Sequence, residues 1–316
     1  MPAGEDRLLR WLRDQLDEPL IGDDAAVLPA GGPFAVTVDH QIAGVHFPPG
    51  LDAAVIARRL LAVNLSDLAA TGAVPAYAFL ALAAPAGFDH KKFFMAFLAG
   101  CRRFGLRLAG GDLARSDRFT AALTLMGTKE KGGRWLTRGG AAPGHALWLG
   151  GTVGESAAGR LVIERGEEAF KAFSSALRAA ARRAARRHLH PEPQIDLGRW
   201  LAKRKEGAAM DVSDGVARDL HRLCRASGTG AEIEAEALPL SDRFTDLCET
   251  LDADPLTLAL GGGEDYVLLF TLPRGEEPPE PFACRRIGTI TKRRGVWLLR
   301  DSGKEPLPEL GWDHLG

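Results

Sequence analysis

The chain has 316 residues, with 40 Lys+Arg against 41 Asp+Glu and a formal net charge of −1, which leaves no basic field for holding nucleic acid. Its 46% hydrophobic and 26% charged residues match an ordinary globular protein, excluding a disordered chain, and its length suits two domains. The most apolar stretch, LLAVNLSDLAATGAVPAYAFLALAAPA, is broken by Asn64, Asp67, Gly72 and Pro75, so no membrane span is expected and a small-molecule partner is favoured.

In chain order, Leu8, Leu9, Leu12 and Leu16 share one face of a first helix, followed by short strands at 25–28 and 34–38. The opening MPAGEDRLLRWLRDQL carries acidic residues and helical periodicity rather than a basic segment followed by an apolar stretch, so a cytoplasmic protein is expected. Asp52 suits the cap of a helix running to Thr71, with Gly72 at its end and Pro75 opening a strand over 76–83. A helix over 89–104 and a strand over 106–109 lead to Gly110, Gly111 and Asp112, and 119–127 reads as a strand. The glycine-rich stretch KGGRWLTRGGAAPGHA marks a domain junction, giving domains 1–140 and 141–316. Strand 146–149 then meets GGTVGESAAG, a turn whose amides suit an anion but which lacks the Lys and Ser/Thr of a P-loop. A helix over 168–187 carries Arg178, Arg182, Arg183, Arg186 and Arg187 on what reads as a solvated face, without the aromatics of a nucleic-acid binder. Helices over 196–205 and 214–226, strands over 231–234, 266–271, 286–291 and 296–300, and a short tail complete the pattern.

Acidic residues recur inside apolar or glycine-rich runs, where few Lys or Arg residues stand beside them: Asp23 and Asp24, Asp39, Asp67, Asp112, Asp211 and Asp214, Glu264 and Asp265. A carboxylate so placed is protonated, salt-bridged or bound to a cation. Asp23 reads as a turn residue, whereas Asp24 opens an apolar strand in the manner of a ligand. Asp67 shares a helix face with Val63, Asn64 and Ala70, and with Ser66 nearby it offers the oxygen-rich setting of a hard cation. Asp112 follows two glycines that suit either a turn or a close phosphate. In MDVSDG, Asp211 and Ser213 share one side of an extended segment and Asp214 suits a helix N-cap. In GGGEDY the glycines allow a close backbone approach, with Glu264 or Asp265 directed into a cavity. Cys101, Cys224, Cys248 and Cys284 show no metal-ligand spacing and read as ordinary reduced thiols. Several carboxylates of this kind suit Mg2+ ions handling a polyphosphate. Two-metal hydrolysis is the alternative, but it usually recruits histidines, and only His40 and His46 lie near the acids of the first half.

Taken in order, IGDDAAVL, TVDHQIAGVHF, LAVNLSDLAATGAVP, LAGGD, GRWLTRGGAAPG, MDVSDG, LGGGEDYVLLFT and the terminal GWDH resemble the successive motifs of the thiamine-monophosphate kinase family. The resemblance implies an α/β (α+β) fold of two domains, each a mixed sheet flanked by helices, like that of aminoimidazole ribonucleotide synthetase. It implies Mg2+ ligands at Asp24, Thr37, Asp39, Asp67, Asp112, Asp211 and Asp214, ATP contacts at Gly111, Asp112, Arg138 and Ser213, and thiamine-phosphate contacts at His46, Glu264 and Trp312. It also implies a homodimer built from strands of the N-terminal domains. The sequence departs from the family at TVDH, where hydroxyl residues usually flank the aspartate; Val38 has only a backbone carbonyl to offer a metal. The expected reaction is in-line transfer of the γ-phosphoryl of ATP onto thiamine monophosphate, with Asp67, Asp112 and Arg138 as its main catalytic groups. Rival readings are another enzyme of the superfamily and a catalytically silent binding module. The first lacks the reactive Cys that selenophosphate synthesis requires, and the second would not need every acid.

Overall fold

The computed structural model describes residues 26–28 and 32–312. The first expected helix, Asp23 and Asp24 lie outside the described residues. The chain divides into two compact units, one of them holding the described residues up to Trp135 together with Leu189–Lys203, the other Leu136–His188 and the described residues from Arg204 onward.

The first unit contains β1 (Ala26–Leu28), β2 (Phe34–Ile42), α1 (Ala53–Thr71), β3 (Ala73–Ala84), α2 (His90–Phe104), β4 (Arg107–Arg115), β5 (Thr120–Lys129) and a later helix, α5 (Ile195–Ala202). Its five strands take the order β1-β2-β5-β3-β4, antiparallel except for the β3–β4 pair. α1 begins where the Asp52 carboxylate accepts the Ala54 amide at 3.0 Å and ends at Gly72, whose φ of 69° suits glycine. It is buried nearly all round because the sheet, α2 and α5 each cover a side. Phe93 and Phe97 of α2 join Phe47, Phe88 and Phe119 in an aromatic cluster. The return of 189–203 is fixed by close packing and charge. A Cβ on Gly198 would stand 2.0 Å from the Ala69 carbonyl oxygen, and Arg199 Nε donates to Glu130 Oε2 at 2.5 Å, holding Glu130 below the usual carboxylate range.

The second unit contains β6 (Ala146–Leu149), α3 (Glu155–Ala172), α4 (Ser175–Leu189), β7 (Ala209–Asp211), α6 (Val216–Ser227), β8 (Gly230–Glu234), α7 (Phe244–Thr250), α8 (Pro255–Gly261), β9 (Leu268–Leu272), β10 (Arg285–Thr291), β11 (Gly295–Arg300) and β12 (Gly303–Pro306). Its seven strands take the order β12-β11-β8-β10-β6-β9-β7, antiparallel except for the β11–β8 pair. β6 and β9 are buried along their whole length, as strands covered on both faces must be. Leu147, Leu149, Val212, Leu220, Ile233, Leu269 and Ile287 lie in one core.

Four local expectations differ from the fold. The helix expected over 168–187 is two helices, because Phe173 turns to extended backbone (φ −68°, ψ 147°) and buries its ring, while Ser174 Oγ accepts the Leu177 amide to start α4. The strand expected to stop at 109 continues to Arg115, which places Asp112 in mid-strand. α7 and α8, seven residues each, are too short to show a helical period. β12 is exposed at every position and so lacks the alternation that reveals a strand. Among the described residues no helix is long and apolar enough to cross a membrane.

Candidate functional site

In the first unit, β2 alternates so that Thr37, Asp39 and Gln41 face α1 while Val38 and His40 face away. Asp67 is the one half-buried residue in an otherwise buried stretch of α1. Thr37 Oγ1 donates to its Oδ2 at 2.5 Å. Beyond the end of β1, which covers β2 only from Phe34 to Val36, the Asp39 amide donates to Asn64 Oδ1 at 3.0 Å, and Asn64 Nδ2 donates to the Leu60 carbonyl at 2.8 Å. One turn of α1 thus fixes both Asp39 and Asp67. His46 lies in the turn after β2, its Nδ1 accepting the Ile42 amide at 3.1 Å. Val38 projects from the opposite face and is 59% exposed.

Asp112 is placed differently. The strand register runs His40–Ala122–Ala81–Asp112 across the sheet, and Asp39–Leu123–Leu80–Gly111 in the next row. Asp112 therefore shares the open face with Val38 and His40, three strand spacings or roughly 14 Å from His40. Gly111 is required by the neighbouring strand, since a Cβ there would stand 1.9 Å from the Leu80 carbonyl oxygen.

In the second unit, three separated motifs meet on one stretch of backbone. After Asp211, which is buried at the end of β7, the Val212 amide donates to Val267 O and the Tyr266 amide to Val212 O, both at 2.9 Å. The Glu264 amide donates to Ser213 O at 2.7 Å and the Trp312 amide to Asp214 O at 3.1 Å. The glycines make this possible: a Cβ on Gly263 would come within 2.8 Å of Ser213 O, and one on Gly311 within 2.4 Å of Asp214 O. The close neighbour that the GGGEDY and GW motifs need glycine for is the chain itself. Glu264 and Tyr266 take left-handed backbone (φ 57° and 50°), an uncommon conformation that concentrates at functional positions. Arg138 opens a short 3-10 turn and its carbonyl accepts Ser227 Oγ at 2.7 Å.

Asp214 is not the N-cap of α6. That position falls to Gly215, and the capping acid is Asp219, whose Oδ2 accepts the Asp214 amide at 3.1 Å and the Gly215 amide at 3.2 Å. Nor is Asp214 remote from a cation, because Arg222 Nη1 bonds its Oδ2 and also lies 3.0 Å from Asp219 Oδ1. Burial, with the Asp214 charge adding to it, pushes Asp219 up to about 7 against the opposing pull of Arg222 and Arg138. Asp219 and Arg222 escaped the sequence reading, although their i,i+3 spacing on an apolar helix face was a visible signal. In the GGTVGESAAG turn the amides face an internal side chain: the buried Gly154 and Ser156 amides donate to Asp265 Oδ2 and Oδ1 at 2.8 and 3.2 Å. Burial pushes Asp265 up to about 7. Two arginines read as solvated are fasteners, Arg183 Nε donating to Glu155 Oε1 at 2.6 Å and Arg187 Nη2 to the Asp265 carbonyl at 3.0 Å.

Residues 22–128 match the model for AIR synthase related protein, N-terminal domain. The thiamine-monophosphate kinase of Aquifex aeolicus (strain VF5) is 32% identical over 99% of this chain and 98% of its own. That of Escherichia coli (strain K12) is 37% identical over 100% and 99%. This chain belongs to the thiamine-monophosphate kinase family. A solved structure of AaThiL complexed with AMPPCP and TMP superposes with a TM-score of 0.86 at 31% identity, covering 98% of this chain and 97% of that one. The two mixed sheets flanked by helices are thus the family's AIR synthase-like fold.

Proposed function

We propose that this chain performs the family's reaction, transfer of the γ-phosphoryl of ATP to thiamine monophosphate giving thiamine diphosphate and ADP, through the residues described above. The observation that carries the residue-level reading is the meeting of Ser213, Asp214, Glu264 and Trp312, from three motifs far apart in sequence, on one backbone stretch. The acceptor is already an anion, so no general base is needed, and the chain's task is to align two phosphates and offset their repulsion. Arg138 suits this through its planar fork of donors. Ser213 would contact ATP beside it. Trp312, 57% exposed, and the half-buried Glu264 suit a thiazolium cation, one by its indole face and the other by its charge; the substrate role of His46, in the first unit, rests on the family resemblance.

The donors fit Mg2+. Those of the first unit are all oxygens, Asp39 and Asp67 with the Thr37 hydroxyl and the Val38 carbonyl, and those of the second are Asp211 and Asp214. Among the described residues no three His, Cys, Asp or Glu side chains are grouped so as to hold a metal ion, but Mg2+ takes one or two carboxylates and completes its shell with water and phosphate. Bound Mg2+ would supply charge neutralisation at the phosphate oxygens. The places of Asp24, Gly111 and Asp112 in this set rest on the family resemblance.

A homodimer is supported by the first unit's sheet, whose open face carries Val38 and Phe79 and whose edge strand β4 is exposed at all nine positions, Leu108 and Leu113 included. A long apolar edge of this kind needs a cover. A cytoplasmic location is supported by four free thiols. ADP release measured with and without thiamine monophosphate tests the reaction: release only in its presence is expected, and equal release in its absence would overturn it.

A further inference from the structure

The end of α4 and the GGGEDY loop are locked side by side. Arg187 holds the Asp265 carbonyl, Asp265 holds the first amides of α3, and the next residue, His188, only 3% exposed, places Nδ1 3.2 Å from Ser156 Oγ and 3.5 Å from Glu264 Oε2. The Glu264 backbone is meanwhile pinned by Ser213 in a left-handed conformation. Backbone pinning leaves the Glu264 side chain to be aimed by whatever its carboxylate meets, and the imidazole of His188 meets it from the buried side. A hydrogen on Nδ1 makes both contacts favourable. A bare Nδ1 lone pair would repel the carboxylate, whereas an N–H at this position donates to Glu264 and leaves Ser156 Oγ a second acceptor.

We propose that His188 is a positioning residue for substrate recognition: its Nδ1–H aims Glu264 at the cationic thiamine portion of the acceptor. The inference rests on the reading that Glu264 contacts thiamine monophosphate. It gives a role to the arginine-rich helix that its charge pattern did not announce, since the same turn of α4 carries both Arg187 and His188.

The test uses steady-state kinetics of the full chain with His188→Asn, His188→Gln, His188→Ala and Glu264→Gln. An Asn amide reproduces a donor near the Nδ1 position, and a Gln amide reproduces one near Nε2. His188→Ala and His188→Gln are expected to raise the KM for thiamine monophosphate about tenfold, the scale of one lost hydrogen bond to a charged group, with the KM for ATP unchanged. His188→Asn is expected to stay within about threefold of the parent. A merely structural role would make the Asn and Gln variants equivalent, or would move both KM values, and either result overturns the proposal. Should His188→Ala fail to fold, the Asn–Gln pair still decides. If Glu264→Gln raises the KM for thiamine monophosphate but His188→Gln does not, the positioning role alone is lost. If Glu264→Gln leaves that KM unchanged, the substrate contact is lost and the positioning role with it.

Discussion

The two units hold their acids by different means. In the first, the Thr37 hydroxyl fixes Asp67 and the Asn64 amide fixes the Asp39 backbone; in the second, Arg222 bonds Asp214 and Asp219 together, and backbone amides cradle Asp265. A hydroxyl sets a carboxylate's direction without offsetting its charge, whereas a guanidinium does both. The contrast separates acids oriented by a hydroxyl or a side-chain amide from acids gathered by a guanidinium or by backbone amides.

The largest expected effect is at Asp67. Asp67→Asn keeps the shape and the Thr37 partner but removes a charge, and turnover should fall about a hundredfold or more, as several kcal/mol of lost charge stabilisation implies. Its melting temperature should stay near that of the parent, and near-normal turnover at saturating magnesium would erase the contrast. Arg222→Leu probes the other side. Removing the guanidinium strands two facing acids, one of them fully buried, and should cost about 3 kcal/mol of folding stability. Urea unfolding reads this directly, and a midpoint shift too small to resolve would show that Asp214 and Asp219 do not depend on their cation.

The smallest effect, and the sharpest in sign, concerns Asp265. Its folded-state pKa is raised to about 7 by burial, so between the unfolded value near 3.8 and neutrality the native state binds more protons than the unfolded chain. Stability should therefore fall as pH rises through this window and level off above it. Asp265→Asn should remove its share of that slope, leaving the share of Asp219, without displacing the Gly154 amide, whose acceptor the Asn carbonyl can replace. A variant whose unfolding free energy keeps the parent's slope from pH 4 to 7 would place the titrating group elsewhere.

Much of this contrast was legible from local patterns. Asp52 and Gly72 bracket α1 because caps are local chemistry, and Asp67 stood out because it shares a helix face with Val63, Asn64 and Ala70 in an apolar segment. The placement of Asp112 was not legible. β4 reads RLAGGDLAR, with neither the alternation that marks a face nor a proper stop at the glycines, and the register shift between Ala78 and Phe79 decides which side Asp112 takes. The break at Phe173 was hidden for a similar reason, since FKAFSSALRAA keeps good helix formers on both sides of it.

The sequence by itself determined which residues bear charge inside apolar surroundings, where the main helices are capped, and, through the order of its motifs, which family's chemistry the chain carries. Those are properties of neighbours within a few residues, where propensity, capping and burial pattern act. Tertiary structure decided what each acid faces: Thr37 for Asp67, Arg222 for Asp214, the α3 amides for Asp265 and His188 for Glu264. Such partners lie from eight to more than a hundred residues away along the chain, and only the register of the sheets and the close approach at Gly198, Gly263 and Gly311 brings them together.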